Sequence, residues 1–112
     1  MPEVHLFTYG TLRDAAVQRR LFGRTIEGSP DMLGGFRLGI IVVSDEEAIA
    51  VSGTATHLVV DETGDPADRV AGTVLPLSAA ELAIADSYET ADYARVAVRL
   101  DSGIEAFVYA RA

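Results

Sequence analysis

The chain contains no cysteine and no lysine. The first absence excludes disulfides, thiolate metal sites and a cysteine nucleophile. The second excludes Schiff-base chemistry and leaves arginine as the source of all nine basic residues. Cations are also scarce against the 17 carboxylates, and the net charge is −8. That balance argues against nucleic acid, whose phosphates would repel the chain unless one face were locally basic. The best basic cluster is Arg19, Arg20 and Arg24, which flanks a short predicted helix, where cations complement the helix dipole. Hydrophobic residues make up 49% of the chain, yet no window is long and apolar enough to span a bilayer, so no membrane partner is expected. Met1-Pro2-Glu3-Val4-His5 lacks the basic start and apolar stretch of a signal peptide and runs straight into a strand-like segment; a cytoplasmic location is the expectation. The only two histidines, His5 and His57, lie in strand-like segments without ligand spacing, and no metal is expected.

What is present fits one domain over residues 1–112, enough chain for a real core and too little for a second. Glu3 to Tyr9 alternates and is rich in β-formers, predicting a strand, central in its sheet. Asp14 then caps a helix from Ala15 to Phe22, with Gly23 as its stop. Gly28-Ser29-Pro30-Asp31 reads as a turn, and Leu33 to Val43 as a strand whose glycines imply a bulge, a bend or close backbone approach. Asp45-Glu46-Glu47 reads as a solvated turn, Ile49 to Val51 and Ala55 to Val60 as strands, and Asp61 to Pro66 as another turn. Arg69 to Leu77 is a strand, and Tyr93 to Leu100 with Ile104 to Ala110 forms a hairpin about Asp101-Ser102-Gly103. Six or seven strands and two short helices, not in β-α alternation, predict an α+β fold. Its sheet is expected to be small, mixed, mostly antiparallel and barrel-like, with helices packed on it.

Ser78 to Glu89 is the most informative stretch. Ser78 followed three residues later by Glu81 is a capping box, and the alanine-rich interior predicts a helix ending near Tyr88-Glu89. Glu89 then sits where the helix dipole is negative, and burial there would raise its pKa further. An exposed surface glutamate is one reading; a carboxyl group able to take and give a proton is the other. A second stretch, Tyr9-Gly10-Thr11-Leu12, joins a strand to a helix. It is either an ordinary turn or a place where successive backbone N–H groups converge on an anion.

The two stretches together resemble a known family. A strand ending in Tyr9-Gly10-Thr11-Leu12, then a helix ending in Asp86-Ser87-Tyr88-Glu89 followed by Tyr93, Arg95 and Val98, is similar to the γ-glutamyl cyclotransferase superfamily. More narrowly it resembles γ-glutamylamine cyclotransferase and the AIG2-like proteins. Val70-Ala71-Gly72-Thr73-Val74 and the Ser-Gly hairpin also fit, so the resemblance covers nearly the whole chain. It departs at Thr90, where the family often has glycine. The resemblance implies a cyclotransferase-like fold, with Tyr9, Gly10, Thr11 and Leu12 as the substrate loop and Glu89 as the proton acceptor. It implies a small-molecule substrate, a γ-glutamyl amine or related amide, and a protein that is a monomer or a homodimer.

The residue inventory suits that chemistry. A γ-glutamyl amide cyclises when its own α-amino group attacks its γ-carbonyl, giving 5-oxoproline and a free amine, so the protein supplies no nucleophile. It folds the substrate into the ring-closing conformer, takes a proton and returns one, and needs no metal or organic cofactor. The alternative is a non-catalytic module that uses the same pocket to bind a small metabolite or a partner. Asp86, three residues before Glu89, is expected to make a structural hydrogen bond, and Tyr93 and Arg95 to share one strand face in a supporting role.

Overall fold

Seven strands and three α-helices follow one another in the computed structural model, which describes residues 3–42, 46–53, 56–89 and 91–112. Strand β1 (Val4–Thr8) is followed by a single 3-10 turn (Thr11–Arg13) and helix α1 (Ala15–Phe22); β2 (Ser29–Gly34), β3 (Phe36–Val42), α2 (Glu46–Ser52) and β4 (Thr56–Glu62) come next. The rest is β5 (Arg69–Leu77), α3 (Ala79–Tyr88), β6 (Tyr93–Arg99) and β7 (Glu105–Arg111). Five strands form one sheet in the order β2-β5-β1-β7-β6, and β3 and β4 form a separate two-stranded ribbon. Pairing is antiparallel except between β1 and β7. The sheet is mixed, mostly antiparallel and not closed.

β1 is the central strand, as its composition predicts, and both its faces are covered. Leu6 packs toward the helices with Val17, Leu75, Leu77, Leu82 and Ala85. The next residue, Phe7, points to the other side, into a core with Leu33, Phe36, Val60, Val70 and Val108. That side also shows why Gly72 is glycine, since a Cβ there would meet Phe7 Cζ at 2.5 Å and the Thr8 carbonyl oxygen at 2.6 Å.

The two predicted helices form where their caps place them. Asp14 Oδ1 accepts from the N–H groups of Ala16 (2.8 Å) and Val17 (3.4 Å), and Gly23 (φ +73°) closes α1 in the left-handed region that disfavours other residues. The capping box of α3 is complete: Ser78 Oγ accepts from the Glu81 N–H at 3.1 Å, and Glu81 Oε1 accepts from the Ser78 N–H at 3.0 Å. Arg24, just beyond α1, grips the same Glu81 with two bonds of 2.8 Å. That contact pulls the Glu81 carboxyl down to about 2 and ties the end of α1 to the start of α3.

Three local expectations need correcting, and a fourth resolves among its alternatives. Ser29, Pro30 and Asp31 are not a turn but the first half of β2, an edge strand, where a residue without an N–H is tolerated. Glu46, Glu47 and Ile49 to Val51 are not a turn and a strand but helix α2, whose two first-turn glutamates suit the positive end of the dipole. Asp61 and Glu62 continue β4, and Asp61 accepts from Arg111 Nε at 2.6 Å. Of the bulge, bend or close approach expected among the glycines of Leu33 to Val43, the structure has a bend at Gly35 (φ +81°), where the chain leaves the five-stranded sheet for the ribbon. Val43, Asp45, Ala55 and Thr90, which also carried expectations, lie outside the described residues.

Candidate active site

A cavity of about 580 Å³ opens beyond the C-terminal end of β1. Tyr9, Gly10, Thr11 and Leu12 line one side of it, and Glu89 lines it from the end of α3. All five residues singled out in the sequence therefore share one cavity. Tyr93 at the start of β6, Tyr109 on β7 and residues Thr56 to Leu58 of β4 complete much of the wall. The parallel pairing of β1 with β7 brings the Gly10 turn and Tyr109 to the same end of the sheet. Helix α3 packs across that end through Leu82 and Ala85 and delivers Glu89 to it. Glu89 is itself the C-cap: its N–H donates to the Ala85 carbonyl at 3.1 Å, and its extended backbone (φ −71°, ψ 140°) releases the chain from the helix.

The Glu89 carboxyl is pushed up to about 8, first by removal from water and then by the charge of Asp86 one helical turn earlier. All four tyrosines of the chain gather around it. The Tyr9 hydroxyl donates to the Tyr109 carbonyl at 2.5 Å, and the Tyr93 hydroxyl to the Leu58 carbonyl at 2.6 Å. The hydroxyls of Tyr88 and Thr11 share a hydrogen bond of 2.9 Å. Burial, followed by neighbouring acidic groups, holds the Tyr9, Tyr93 and Tyr109 phenols well above their usual range, so near neutral pH they are uncharged donors. Asp86 makes a hydrogen bond of the kind expected, accepting from the Tyr109 hydroxyl at 2.7 Å with Arg95 Nε at 3.6 Å. Arg95 also lies 4.8 Å from the centre of the Phe107 ring. Tyr93 lines the cavity wall, whereas Arg95 is not among the lining residues and pairs with Asp86.

The turn at Gly10 is held from below. The Arg13 N–H donates to the Gly10 carbonyl (3.1 Å) and the Asp14 N–H to the Thr11 carbonyl (2.9 Å). The Thr11 and Leu12 N–H groups fall in the first turn of this short helix and have no partner within it. A Cβ added at Gly10 would meet nothing within 4 Å, so the backbone there borders open space. Gln18 fixes the far end of the turn. Its side-chain amide is buried, donating to the Leu12 carbonyl and accepting from the Ile26 N–H, both at 2.8 Å. Nothing in the sequence marks Gln18, a polar residue in the middle of a helix; only the direction of its side chain reveals the role. His57 and Tyr109 were not assigned to the site either, and both line the cavity. Tyr109 sits in a hairpin strand whose alternation shows a face but not what lies above it. Among the described residues no group of three or more His, Asp or Glu side chains is placed to hold a metal ion, and no helix is long and apolar enough to cross a membrane.

Comparison with known proteins gives three results. The family model described as gamma-glutamyl cyclotransferase, AIG2-like, matches residues 6–112. No curated protein matches the sequence. Among solved structures, an Arabidopsis thaliana protein determined in solution is 24% identical with a TM-score of 0.70, and the match covers 99% of this chain and 63% of that one. A structure titled gamma-glutamyl cyclotransferase is 15% identical with a TM-score of 0.77, covering 99% of this chain and 68% of that one. An uncharacterised Homo sapiens protein is 16% identical with a TM-score of 0.73, covering 100% and 68%. At these identities the structural likeness shows the fold. This chain spans less than two thirds of the length of the Arabidopsis protein.

Proposed function

We propose that this chain, which belongs to the gamma-glutamyl cyclotransferase, AIG2-like family, converts a γ-glutamyl amine or related small amide to 5-oxoproline and a free amine. The observation that carries this reading is the meeting of Glu89 and the Gly10–Leu12 turn in one cavity. One supplies a carboxyl group that titrates near neutral pH, the other a set of backbone donors beside open space.

The steps follow from what these groups can do. The Thr11 and Leu12 N–H groups bind an oxygen of the substrate, either its α-carboxylate or the oxyanion that develops on the γ-carbonyl. The substrate arrives as an α-ammonium ion, a cation that favours the ionised form of Glu89. Glu89 takes one ammonium proton, and the freed amine attacks the γ-carbonyl carbon, closing a five-membered ring. The bond to the departing nitrogen then breaks as Glu89 returns a proton to it, and the ring nitrogen gives up its remaining extra proton, so that the lactam leaves neutral and the amine as its ammonium ion. No water is consumed, and the carboxylate ends as it began. A carboxyl with a pKa near 8 suits both halves, because the penalty for holding the proton and for releasing it is small near neutrality. The uncharged phenols of Tyr93 and Tyr109 keep the Glu89 environment polar without adding a cation that would pin the carboxylate in its ionised form.

The test is a panel of γ-glutamyl amines and γ-glutamyl dipeptides assayed for 5-oxoproline and for the released amine. One equivalent of each from at least one compound is the expected result. Folded protein that releases 5-oxoproline from none of them would overturn the reading.

A further inference from the structure

Beside the cavity, the β3–β4 ribbon turns an apolar face to solvent. Leu38, Ile40 and Val42 alternate along β3 and so share one side, with 50%, 64% and 76% of their surface exposed. Across the ladder they stand opposite Val60, Leu58 and Thr56, none of them charged. Of the ribbon's charged residues, Arg37 and Asp61 alternate to the other face, where Asp61 is bound by Arg111, and Glu62 shares the apolar side only at its inner end, opposite Phe36. At its inner end the apolar face runs into the core, where Val60 is fully buried with Phe36 and Tyr9. Midway along it, opposite Ile40, lies Leu58, which is 37% exposed and also lines the cavity. One residue thus belongs both to the cavity wall and to the exposed face. Its carbonyl is held by the Tyr93 hydroxyl, and the Tyr93 phenol feels the Glu89 charge. The apolar face therefore reaches the wall of the cavity that Glu89 also lines.

Two occupants suit such a face, a second copy of the chain or the outer part of the cavity's own ligand. Four partly exposed side chains offer on the order of a few hundred Å², short of the ~800 Å² per partner of a stable interface. The cavity itself, at about 580 Å³, lies within the range of roughly 300–1,000 Å³ that accepts a drug-sized ligand. That is more room than a single five-membered lactam fills. Resting on the cyclotransferase reading, we propose that the leaving amine carries an apolar group, alkyl or aromatic, which runs out of the cavity along Leu58 and Ile40.

The probes are γ-glutamyl-n-alkylamides from methyl to hexyl, with γ-glutamylglycine as the polar counterpart. Binding to the Glu89→Gln protein is followed by calorimetry, and turnover by the wild type by 5-oxoproline release. The dissociation constant is expected to fall about two- to fourfold per added methylene, and Ile40→Ser in the same background to flatten that dependence while leaving the methylamide unchanged. Ile40 is mostly exposed, so its replacement leaves the core intact. A dissociation constant independent of alkyl length, or γ-glutamylglycine binding as tightly as the hexylamide, would overturn the inference even if wild-type protein releases 5-oxoproline from both. Length-dependent binding without any 5-oxoproline would support the apolar subsite and overturn the cyclotransferase reading instead. Self-association in sedimentation runs that Ile40→Ser abolishes would assign the face to a second copy and overturn the proposal.

Discussion

Replacing Glu89 with glutamine separates its proposed catalytic role from its effect on stability, because the two predict opposite changes. The side chain keeps its size and much of its hydrogen bonding but loses the carboxyl that burial pushes from 4.5 up to about 8. In the unfolded chain the group titrates at its ordinary value, so between pH 6 and pH 8 the folded wild type holds a proton that the unfolded chain has already released. A carboxyl raised on folding contributes stability that is full below its unfolded pKa and is lost as pH rises through its folded pKa. Over this window the loss runs at about 1.4 kcal/mol per pH unit, roughly 2–3 kcal/mol between pH 6 and pH 8, and adds to the part already lost between pH 4.5 and pH 6. Glutamine cannot ionise and escapes that loss. Urea denaturation of both proteins at pH 6, 7, 8 and 9 should therefore show the advantage of Glu89→Gln over the wild type growing by about 2–3 kcal/mol from pH 6 to pH 9. Turnover should move the other way, falling by ~10²–10⁴-fold, as for loss of a general acid–base. Parallel stability curves would show that the folded chain does not hold Glu89 neutral, and activity within a few-fold of wild type would show that it is not the proton carrier.

Three further substitutions probe the groups around it. Asp86→Asn removes the charge that helps raise Glu89, so the acid limb of the kcat/KM profile should move to lower pH; an unmoved limb would mean that desolvation alone sets it. Gly10→Ala places a methyl where no protein atom lies within 4 Å, so the melting temperature should hold within a few degrees while KM rises at least about tenfold; an unchanged KM would place the substrate elsewhere. Gln18→Met strands the Leu12 carbonyl and the Ile26 N–H in a buried site, at a cost of about 2–4 kcal/mol for two unsatisfied groups. Urea denaturation measures it, and a loss under 1 kcal/mol would mean that water or a shifted backbone replaces the amide.

The sequence by itself determined what depends on near neighbours. Asp14 with Gly23, and Ser78 with Glu81, set the ends of α1 and the start of α3, because a cap bonds to backbone within a turn of itself. β5 was legible from end to end for a similar reason, being a run of β-formers between turn residues. α2 was not, since Ile49 to Val51 is too short for its period to distinguish strand from helix. Nor was β2, whose proline is acceptable only because the strand lies at an edge, a fact of sheet order. The motifs named Glu89 and the Tyr9–Leu12 loop as a pair, but their meeting depends on β1 lying beside β7 with α3 packed across their end. The bonds that fix the site join residues far apart in the chain, Thr11 to Tyr88 across 77 positions and Tyr9 to Tyr109 across 100. Periodicity and spacing act over a few residues and carry no record of such contacts. The raised pKa of Glu89 has the same origin, because it follows from the burial and neighbouring charge that the assembled fold imposes on an otherwise ordinary glutamate.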